Sequence, residues 1–188
     1  MSQFKDSIKI VTIDQNYMRA LYNTCNQVYY CSPLDDNKPY IGILIFQNGR
    51  EYAIPFTSAK AVHSSWPYYS DGKMLVYEKI NTIFTNAIYK TDENGDKMHI
   101  LSVLMICKMI PIKENLYSIV NTVIDSSDDI EVQKYKNLLD KELAFCVSNK
   151  EIIVKRANDI YERQMKAKKV FKNCCDFKKL ENVCDNYQ

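Results

Sequence analysis

KPYIGILIFQNGREYAIPFTSAKAVH, residues 38–63, is the stretch that predicts the fold most directly. Residues 40–46 form a short apolar run rich in β-branched side chains, which is typical of a buried strand. The Asn-Gly pair at 48–49 can adopt the positive φ angles of a type I′ turn. A return strand then follows over residues 51–56. The segment therefore predicts an antiparallel β-hairpin.

The strand pattern extends from this hairpin over residues 1–115, which are rich in β-branched and aromatic side chains. A second turn is predicted at 92–96, before an apolar stretch over 98–112. Because proline fixes φ and restricts the residue before it, Pro111 is expected to end that stretch, with Ile112 beginning a new element. This part of the chain predicts a small β-barrel or a strongly bent sheet.

Residues 116–175 show helical spacing instead. Ser126–Asp129 offers an N-cap for a first helix, and a second helix is predicted from about Lys150. Residues 176–188 are predicted to form a poorly ordered tail. Together these patterns predict one α+β domain over residues 1–188, an antiparallel barrel or bent sheet with packed helices that are mainly C-terminal.

The composition excludes several classes of protein. The 188 residues include 25 Lys+Arg and 23 Asp+Glu, and a net charge of +2 does not by itself point to nucleic-acid or membrane-surface binding. The scarcity of glycine, with only 4 residues, argues against a Gly-rich phosphate loop. No uncharged stretch is long enough to span a bilayer, and the N-terminus lacks an apolar signal core. A cytoplasmic protein is therefore expected.

The seven cysteines favour neither a disulfide framework nor a metal site. Their odd number leaves one thiol unpaired, and with only two histidines a closed tetrahedral zinc site is hard to assemble. In a chain without a signal peptide, reduced thiols are the expected state. We therefore expect no metal and no cofactor.

The charge is distributed unevenly along the chain. Residues 150–179 contain ten Lys+Arg and four Asp+Glu, a local net charge of +6. Such a run is typical of a solvated helix face, and it is also compatible with a surface that binds phosphates. Net charge does not choose between these interpretations. The basic side chains expected on the outer face of the second helix are Lys155, Arg156, Arg163, Lys166 and Lys169.

The two ends of the hairpin concentrate polar residues that suit phosphate chemistry. Because antiparallel strands lie about 5 Å apart, the hairpin brings Lys38 near Thr57 and Ser58. Lys60 and His63 follow directly, and an imidazole can act as an acid or a base near neutral pH. The cluster contains no carboxylate, so it is a poor site for Mg²⁺ or Ca²⁺. Its cations and hydroxyls instead suit a phosphodiester whose charge grows during attack.

The motifs KPYIGILI, NG and PFTSAKAVH, followed by MIPI at 109–112, resemble the ToxN/AbiQ group, the endoribonuclease toxins of bacterial type III toxin–antitoxin systems. The resemblance implies a compact SH3-like antiparallel β-barrel of the ToxN/MazF-like kind, elaborated with helices. It also implies metal-independent, sequence-selective cleavage of RNA, in which attack by the 2′-hydroxyl leaves a 2′,3′-cyclic phosphate and a 5′-hydroxyl.

The same resemblance implies partners and a cellular setting. The inhibitor would be a structured, repeat-encoded antitoxin RNA, a pseudoknot that the toxin processes and then holds in a closed protein–RNA hetero-oligomer. The substrates would be cellular or phage mRNA, with no DNA and no membrane involved. The activity would serve phage defence by abortive infection, in the bacterial cytoplasm.

The resemblance carries catalytic roles onto four residues that match the family motif: Lys38, Thr57, Ser58 and Lys60. His63 is the further candidate acid or base. The family often has a tyrosine four residues before the lysine, and this chain has Leu34 there. The candidate RNA-binding side chains are Tyr29, Tyr30, Tyr40, Trp66, Lys155, Arg156, Arg163, Lys166 and Lys169.

Three functions remain open from the sequence. The first is an endoribonuclease toxin neutralised by an RNA; the second is a non-catalytic RNA-binding module that uses the same groove and the basic helix. The third is a protein–protein adaptor built on an SH3-like barrel. Each residue also has a purely structural explanation, because Thr-Ser pairs often cap helices or end strands and isolated surface lysines often contribute nothing measurable.

Overall fold

The computed structural model describes residues 8–30, 39–42, 49–70, 72–80 and 87–187 of the chain. Within these residues it has nine β-strands and four α-helices, with short 3₁₀ segments between some of them. The fold class is α+β, as the sequence predicts. The strands are β1 (Lys9–Ile13), β2 (Tyr40–Gly42), β3 (Glu51–Ser58), β4 (Tyr69–Ser70), β5 (Lys73–Lys79), β6 (Tyr89–Thr91), β7 (Lys97–Leu104), β8 (Ile110–Ile112) and β9 (Tyr117–Ile119).

The strands pair antiparallel in one large sheet. Its order is β4-β5-β7-β3-β2-β1-β9, with β6 added to β7 and β8 added to β3. Along the described residues this path does not return to its first strand, so the sheet is not closed. The SH3-like barrel therefore stays a prediction, whereas an antiparallel sheet with mainly C-terminal helices is confirmed.

Strand β3 is the centre of the sheet. It pairs with β2 in the register Tyr40↔Pro55 and Ile41↔Ile54, which confirms the predicted hairpin. Of the predicted Asn-Gly turn, Asn48 lies outside the described residues, and Gly49 has the expected positive φ of 81°. Strand β3 also pairs with β8 along its first half and with β7 along its last three residues. Its C-terminal end is thereby fixed on β7.

The expectation for Pro111 is wrong. Strand β8 spans Ile110–Ile112, so Pro111 lies in the middle of a strand and Ile112 ends that strand. A 3₁₀ segment, Ile106–Lys108, makes the break between β7 and β8 several residues earlier. A short strand can hold proline where no ladder hydrogen bond needs its missing N–H. The Pro111 carbonyl is used, because it accepts a hydrogen bond of 2.7 Å from the Tyr17 hydroxyl.

The helices are α1 (Gln15–Thr24), α2 (Ile130–Ser148), α3 (Lys150–Lys166) and α4 (Phe177–Asn186). Helix α2 begins where the sequence predicts it, because the Asp129 carboxylate accepts hydrogen bonds from the backbone N–H groups of Glu131 and Val132. Helix α3 also begins at the predicted Lys150. Helix α1 lies in the part of the chain where the sequence analysis predicts strands, so this helix is a difference from the prediction.

The prediction of a poorly ordered tail is wrong. Residues Phe177–Asn186 form helix α4, and Phe177 and Leu180 are fully buried in the main core. The apolar positions of this segment recur at helical spacing, so burial against the sheet stabilises it. The tail is thus an integral layer of the fold.

No helix in the described ranges is long and apolar enough to cross a membrane. The same residues contain no group of three or more His, Cys, Asp or Glu side chains placed to hold a metal ion. The six cysteines among them are free thiols: Cys25, Cys107, Cys146, Cys174, Cys175 and Cys184.

Candidate active site

The hydroxyls of Thr57 and Ser58 lie at the last two positions of β3, where the strand leaves the core. Ser58 pairs with Ser102 of β7, and Thr57 pairs with Val103. Thr57 is half-buried and Ser58 is exposed, whereas the preceding five residues of β3 are all buried. The sheet therefore fixes the backbone of both hydroxyl residues and presents them at the C-terminal end of this central strand.

A short 3₁₀ helix, Ala61–Ser65, holds Lys60 and His63 directly after β3. The His63 N–H donates to the Lys60 carbonyl at 2.8 Å, and the Lys60 N–H donates to His63 Nδ1 at 3.0 Å. These reciprocal bonds fix the turn, so the exposed Lys60 side chain projects from a defined backbone. The imidazole itself is only 4% exposed.

The surroundings of His63 keep it neutral. Burial lowers the pKa of His63 below its usual 6.5, and the positive charges of Lys60 and Lys73 lower it further. Because Nδ1 accepts a hydrogen bond, the neutral ring carries its proton on Nε2. The Trp66 ring lies 4.5 Å from the imidazole, and Lys73 Nζ lies 4.6 Å from the centre of the Trp66 ring. A second cation therefore lies close to this turn.

A cavity of about 150 Å³ opens beside Thr57 and Ser58. Its other lining residues are Pro39, Phe56, Leu101, Ser102, Tyr135, Leu138, Leu139 and Glu142. Lys38 lies outside the described residues, as does Leu34, but the next residue, Pro39, lines this cavity. The structure thus brings the start of β2 to the predicted hydroxyl pair.

Sequence reasoning missed a carboxyl group in this cavity. Glu142 of α2 is 3% exposed, and burial raises the pKa of its carboxyl to about 7, although the neighbouring Ser102 hydroxyl favours the charged form. The signal was present, since Glu142 stands three residues after Leu139 and four before Cys146, both of which are buried. That spacing places Glu142 on the inward face of the helix.

The predicted RNA-binding tyrosines are less accessible than the sequence suggests. Tyr40 is only 3% exposed, and its hydroxyl donates to the Tyr29 carbonyl at 2.7 Å. The prediction that Tyr40 contacts RNA is therefore wrong for this conformation, because its ring fills the core. Tyr29 and Tyr30 are half-buried, and the Tyr30 hydroxyl accepts a bond of 3.3 Å from Arg19.

Helix α3 forms one wall of a larger cleft of about 510 Å³. The Arg156 guanidinium lies 4.3 Å from the centre of the Tyr69 ring, and that of Arg163 lies 5.3 Å from the Phe171 ring. Arg156 Nε is buried without a hydrogen-bond partner among the described groups. Stacked guanidinium groups on aromatic rings are suited to phosphates and to nucleobases.

The other predicted basic residues lie outside this cleft. Lys155, Lys166 and Lys169 are exposed. Lys166 forms an i, i+4 ion pair with Glu162 at 3.2 Å, and Lys169 lies beyond the end of α3, which is Lys166. The prediction that one helix face carries all five cations is therefore wrong for Lys169.

The fold and the site define a class of α+β protein. Two hydroxyls and a lysine lie at the C-terminal end of the central strand of its antiparallel sheet, and helix α3 forms one wall of a basic cleft. The chain belongs to the ToxN family, because residues 9–185 match the family of toxin ToxN from type III toxin–antitoxin systems. This match confirms the resemblance drawn from the hairpin motifs.

Similar proteins agree with this assignment. The chain is 24% identical over 191 residues to endoribonuclease ToxN of Bacillus thuringiensis subsp. kurstaki, across 98% of this chain and 86% of that protein. A solved structure of a type III toxin inhibited by a non-coding RNA pseudoknot has a TM-score of 0.71 at 22% identity, covering 97% of this chain and 98% of that one. That of AbiQ, a lactococcal anti-phage endoribonuclease, has a TM-score of 0.69 at 19% identity, covering 96% and 98%.

Proposed function

We propose that the protein is an endoribonuclease toxin that cleaves RNA without a metal ion, leaving a 2′,3′-cyclic phosphate and a 5′-hydroxyl. The observation that carries the proposal is the edge of β3, where Thr57, Ser58 and Lys60 lie together on a rigid backbone. RNA supplies its own nucleophile, the 2′-hydroxyl. The protein needs to orient that group and to stabilise the charge that develops on phosphorus.

Each residue then has a distinct role. Lys60 and Lys38 stabilise the pentacoordinate phosphorane, and one well-placed donor of this kind contributes about 3 kcal/mol. Ser58 and Thr57 bind the phosphate or relay the 2′ proton. His63 is neutral and orients the Lys60 backbone through Nδ1, and its Nε2–H serves as a hydrogen-bond donor toward the reacting phosphate.

The basic cleft supports a second part of the proposal. Arg156 and Arg163 bind the phosphates of a structured antitoxin RNA, which inhibits the toxin and is processed by it. Two solved structures with a similar fold support this partner. One is a toxin inhibited by a non-coding RNA pseudoknot, and the other, with a TM-score of 0.70 at 23% identity, belongs to an antiviral system regulated by a processed non-coding RNA. We infer a closed protein–RNA hetero-oligomer, cellular or phage mRNA as substrate, and abortive infection in the bacterial cytoplasm as the setting.

The prediction of an SH3-like barrel is also part of this proposal. Strand β3 pairs with β2 on one side and with both β7 and β8 on the other, across the 3₁₀ break at Ile106–Lys108. This change of partner along one strand is compatible with a single SH3-like, ToxN/MazF-like domain over residues 1–188. A barrel of this kind leaves the end of β3 at its rim.

A direct experiment separates this function from a non-catalytic RNA-binding module. Purified protein is incubated with total RNA in EDTA, and the fragments are analysed for cyclic-phosphate ends. We expect cleavage by the wild type, and a loss of at least 100-fold in Ser58→Ala and Lys60→Ala, because each removes a group at the reacting phosphate. Both variants should keep the wild-type melting temperature and still bind antitoxin RNA.

The control is Ser64→Ala, which removes a neighbouring exposed hydroxyl that donates to the Ala61 carbonyl. It should cleave as the wild type does. Intact RNA that nevertheless shifts on a gel would favour the binding module, and no salt-sensitive RNA association would favour the adaptor. Undiminished cleavage by Ser58→Ala would count against the assignment of the hydroxyl pair.

A further inference from the structure

Two polar side chains beneath the hydroxyl pair have no role in the function proposed so far. Glu142 of α2 and Ser102 of β7 are 3% and 2% exposed, and both line the cavity that Thr57 and Ser58 share. No lysine or arginine of the described ranges forms an ion pair with Glu142. The Ser102 hydroxyl is buried and makes no well-aligned hydrogen bond within the same ranges.

A buried polar group without a partner lowers the stability of a fold, so native proteins contain few of them. Here one such hydroxyl, that of Ser102, and a buried carboxyl, that of Glu142, face one small cavity beside the candidate catalytic residues. Buried carboxyls with altered pKa values occur preferentially at functional sites. This placement therefore indicates that Glu142 and Ser102 serve the site as well as the packing.

Strand register connects Glu142 to the exposed hydroxyl. Ser102 and Ser58 are directly opposed on β7 and β3, and opposed residues of an antiparallel pair direct their side chains to the same face of the sheet. Helix α2 packs against β7 and brings Glu142 to that face. The three side chains thus form a line from the buried carboxyl, through Ser102, to Ser58 at the edge.

We propose that Glu142 is a positioning residue for RNA cleavage: with Ser102, its ionised carboxylate orients the Ser58 hydroxyl toward the ribose 2′-hydroxyl. The inference rests on the proposed function, because it assigns Ser58 to the reacting site. The Glu142 carboxylate accepts a hydrogen bond from the Ser102 hydroxyl. The Ser102 oxygen is then free to accept a hydrogen bond from the Ser58 hydroxyl. The Ser58 oxygen then faces the ribose as an acceptor.

The titration of Glu142 gives this arrangement a pH dependence. The carboxyl changes charge near pH 7 and would be active in its ionised form. Other titratable groups on the elements around it include Tyr135 at the cavity, Cys146 one turn along α2, and Glu78 of β5. Glu78 is paired with Lys141 at 2.9 Å and with His99 at 3.0 Å, which lowers the pKa of Glu78. Burial raises the pKa of Cys146. Neither Glu78 nor Cys146 is therefore expected to change its charge near pH 7.

The test is the pH profile of kcat and KM on a short RNA in EDTA, between pH 5.5 and 8.5. For the wild type we expect kcat to rise to a plateau through an ionisation near 7. Glu142→Gln should lose that rise and show a kcat about 10- to 100-fold lower, with KM within about twofold, because orientation is lost while binding is kept. Glu142→Asp, which retains a carboxyl, should restore the pH-dependent rise.

The control is Glu151→Gln, which alters an exposed carboxyl of α3, outside the cavity. It should keep the wild-type profile. Ser102→Ala is a smaller change and should show the same loss of kcat at an unchanged melting temperature. This variant decides the test if Glu142→Gln folds poorly. If Ser58→Ala abolishes cleavage but Glu142→Gln and Ser102→Ala keep the wild-type pH profile, the inference about Glu142 is overturned and the proposed function stands. Full activity of Ser58→Ala overturns the proposed function instead.

Discussion

His63 is the residue whose role changes most between sequence and structure. From the sequence it is a candidate acid or base, because imidazole titrates near neutrality. In the fold it is nine-tenths buried, and its Nδ1 accepts the Lys60 N–H at 3.0 Å. A ring that must accept at Nδ1 cannot be protonated there without losing this bond. Its first task is therefore to hold the backbone that carries Lys60.

This geometry predicts how stability depends on pH. Because the folded pKa of His63 is below 6.5, the unfolded chain binds more protons as pH falls through that value, so the contribution of His63 to stability is lost on acidification. His63→Asn keeps an acceptor close to the Nδ1 position but does not titrate. We expect urea denaturation to show a smaller loss of stability in His63→Asn than in wild type between pH 7 and pH 5.5. Equal losses in the two proteins would contradict this hydrogen-bonding role.

Glu142 contributes with the opposite sign. Its folded pKa of about 7 lies above its ordinary 4.5, so the folded state retains a proton that the unfolded chain has lost between these values. This contribution to stability is present at low pH and is lost as pH rises toward 7. Near neutral pH, His63 and Glu142 therefore change the stability of the fold in opposite directions. The contribution of either residue is measured by comparing a variant with the wild type.

At the scale of elements, local patterns predicted what local interactions determine. The β2–β3 hairpin, the Asp129 cap and the start of α3 all follow from neighbouring residues in the sequence, and all are confirmed. Helix α1 also had a local signal, since Asp14 caps it and Tyr17 and Leu21 lie on its buried face. Flanking strand-like residues concealed that signal.

What the sequence could not provide is the contact between distant elements. Glu142 becomes part of the site only because α2 packs on β7, forty residues earlier in the chain. Tyr40 is withdrawn from the surface because Met18 and Tyr29 surround its hydroxyl. Likewise, α4 is ordered by the core it covers. Side-chain types were predictable here, but their surroundings were not.

Helix α3 carries a prediction of its own. Arg156 and Arg163 are held on aromatic rings in the cleft, whereas Lys166 is exposed and already paired with Glu162. Arg156→Ala with Arg163→Ala should weaken binding of antitoxin RNA and lower the slope of log K against log salt by about one for each arginine, because each phosphate contact releases counterions. Filter binding from 50 to 300 mM salt measures this slope.

Lys166→Ala is the matched control for that experiment, since it removes one positive charge from the same helix outside the cleft. Its effect on the slope should be small. If Lys166→Ala lowers the slope as much as either arginine variant does, the whole helix acts as a diffuse charged face and the cleft has no special role. RNA cleavage in EDTA should be retained by all these variants, because none removes a group at the β3 edge.

At the scale of the whole molecule, α4 joins the sheet to the helical layer. The Glu181 carboxylate accepts hydrogen bonds from the hydroxyls of Tyr52 in β3 and Tyr161 in α3, at 2.6 and 2.7 Å. Arg50, at the start of β3, donates to Asp185 at 2.6 Å. The C-terminal helix therefore anchors the strand whose other end carries Thr57 and Ser58.

The last prediction concerns this anchoring helix. Phe177 is fully buried and its ring lies 6.0 Å from the rings of both Tyr52 and Tyr161, whereas the next residue, Lys178, is exposed. Phe177→Ala should lower the free energy of unfolding by about 3–5 kcal/mol, as expected for a deleted core aromatic, and Lys178→Ala should change it by less than about 0.5 kcal/mol. Urea denaturation followed by circular dichroism measures both. A loss below about 1 kcal/mol in Phe177→Ala would mean that α4 is not part of the cooperative core, since a large cavity cannot be left at so small a cost.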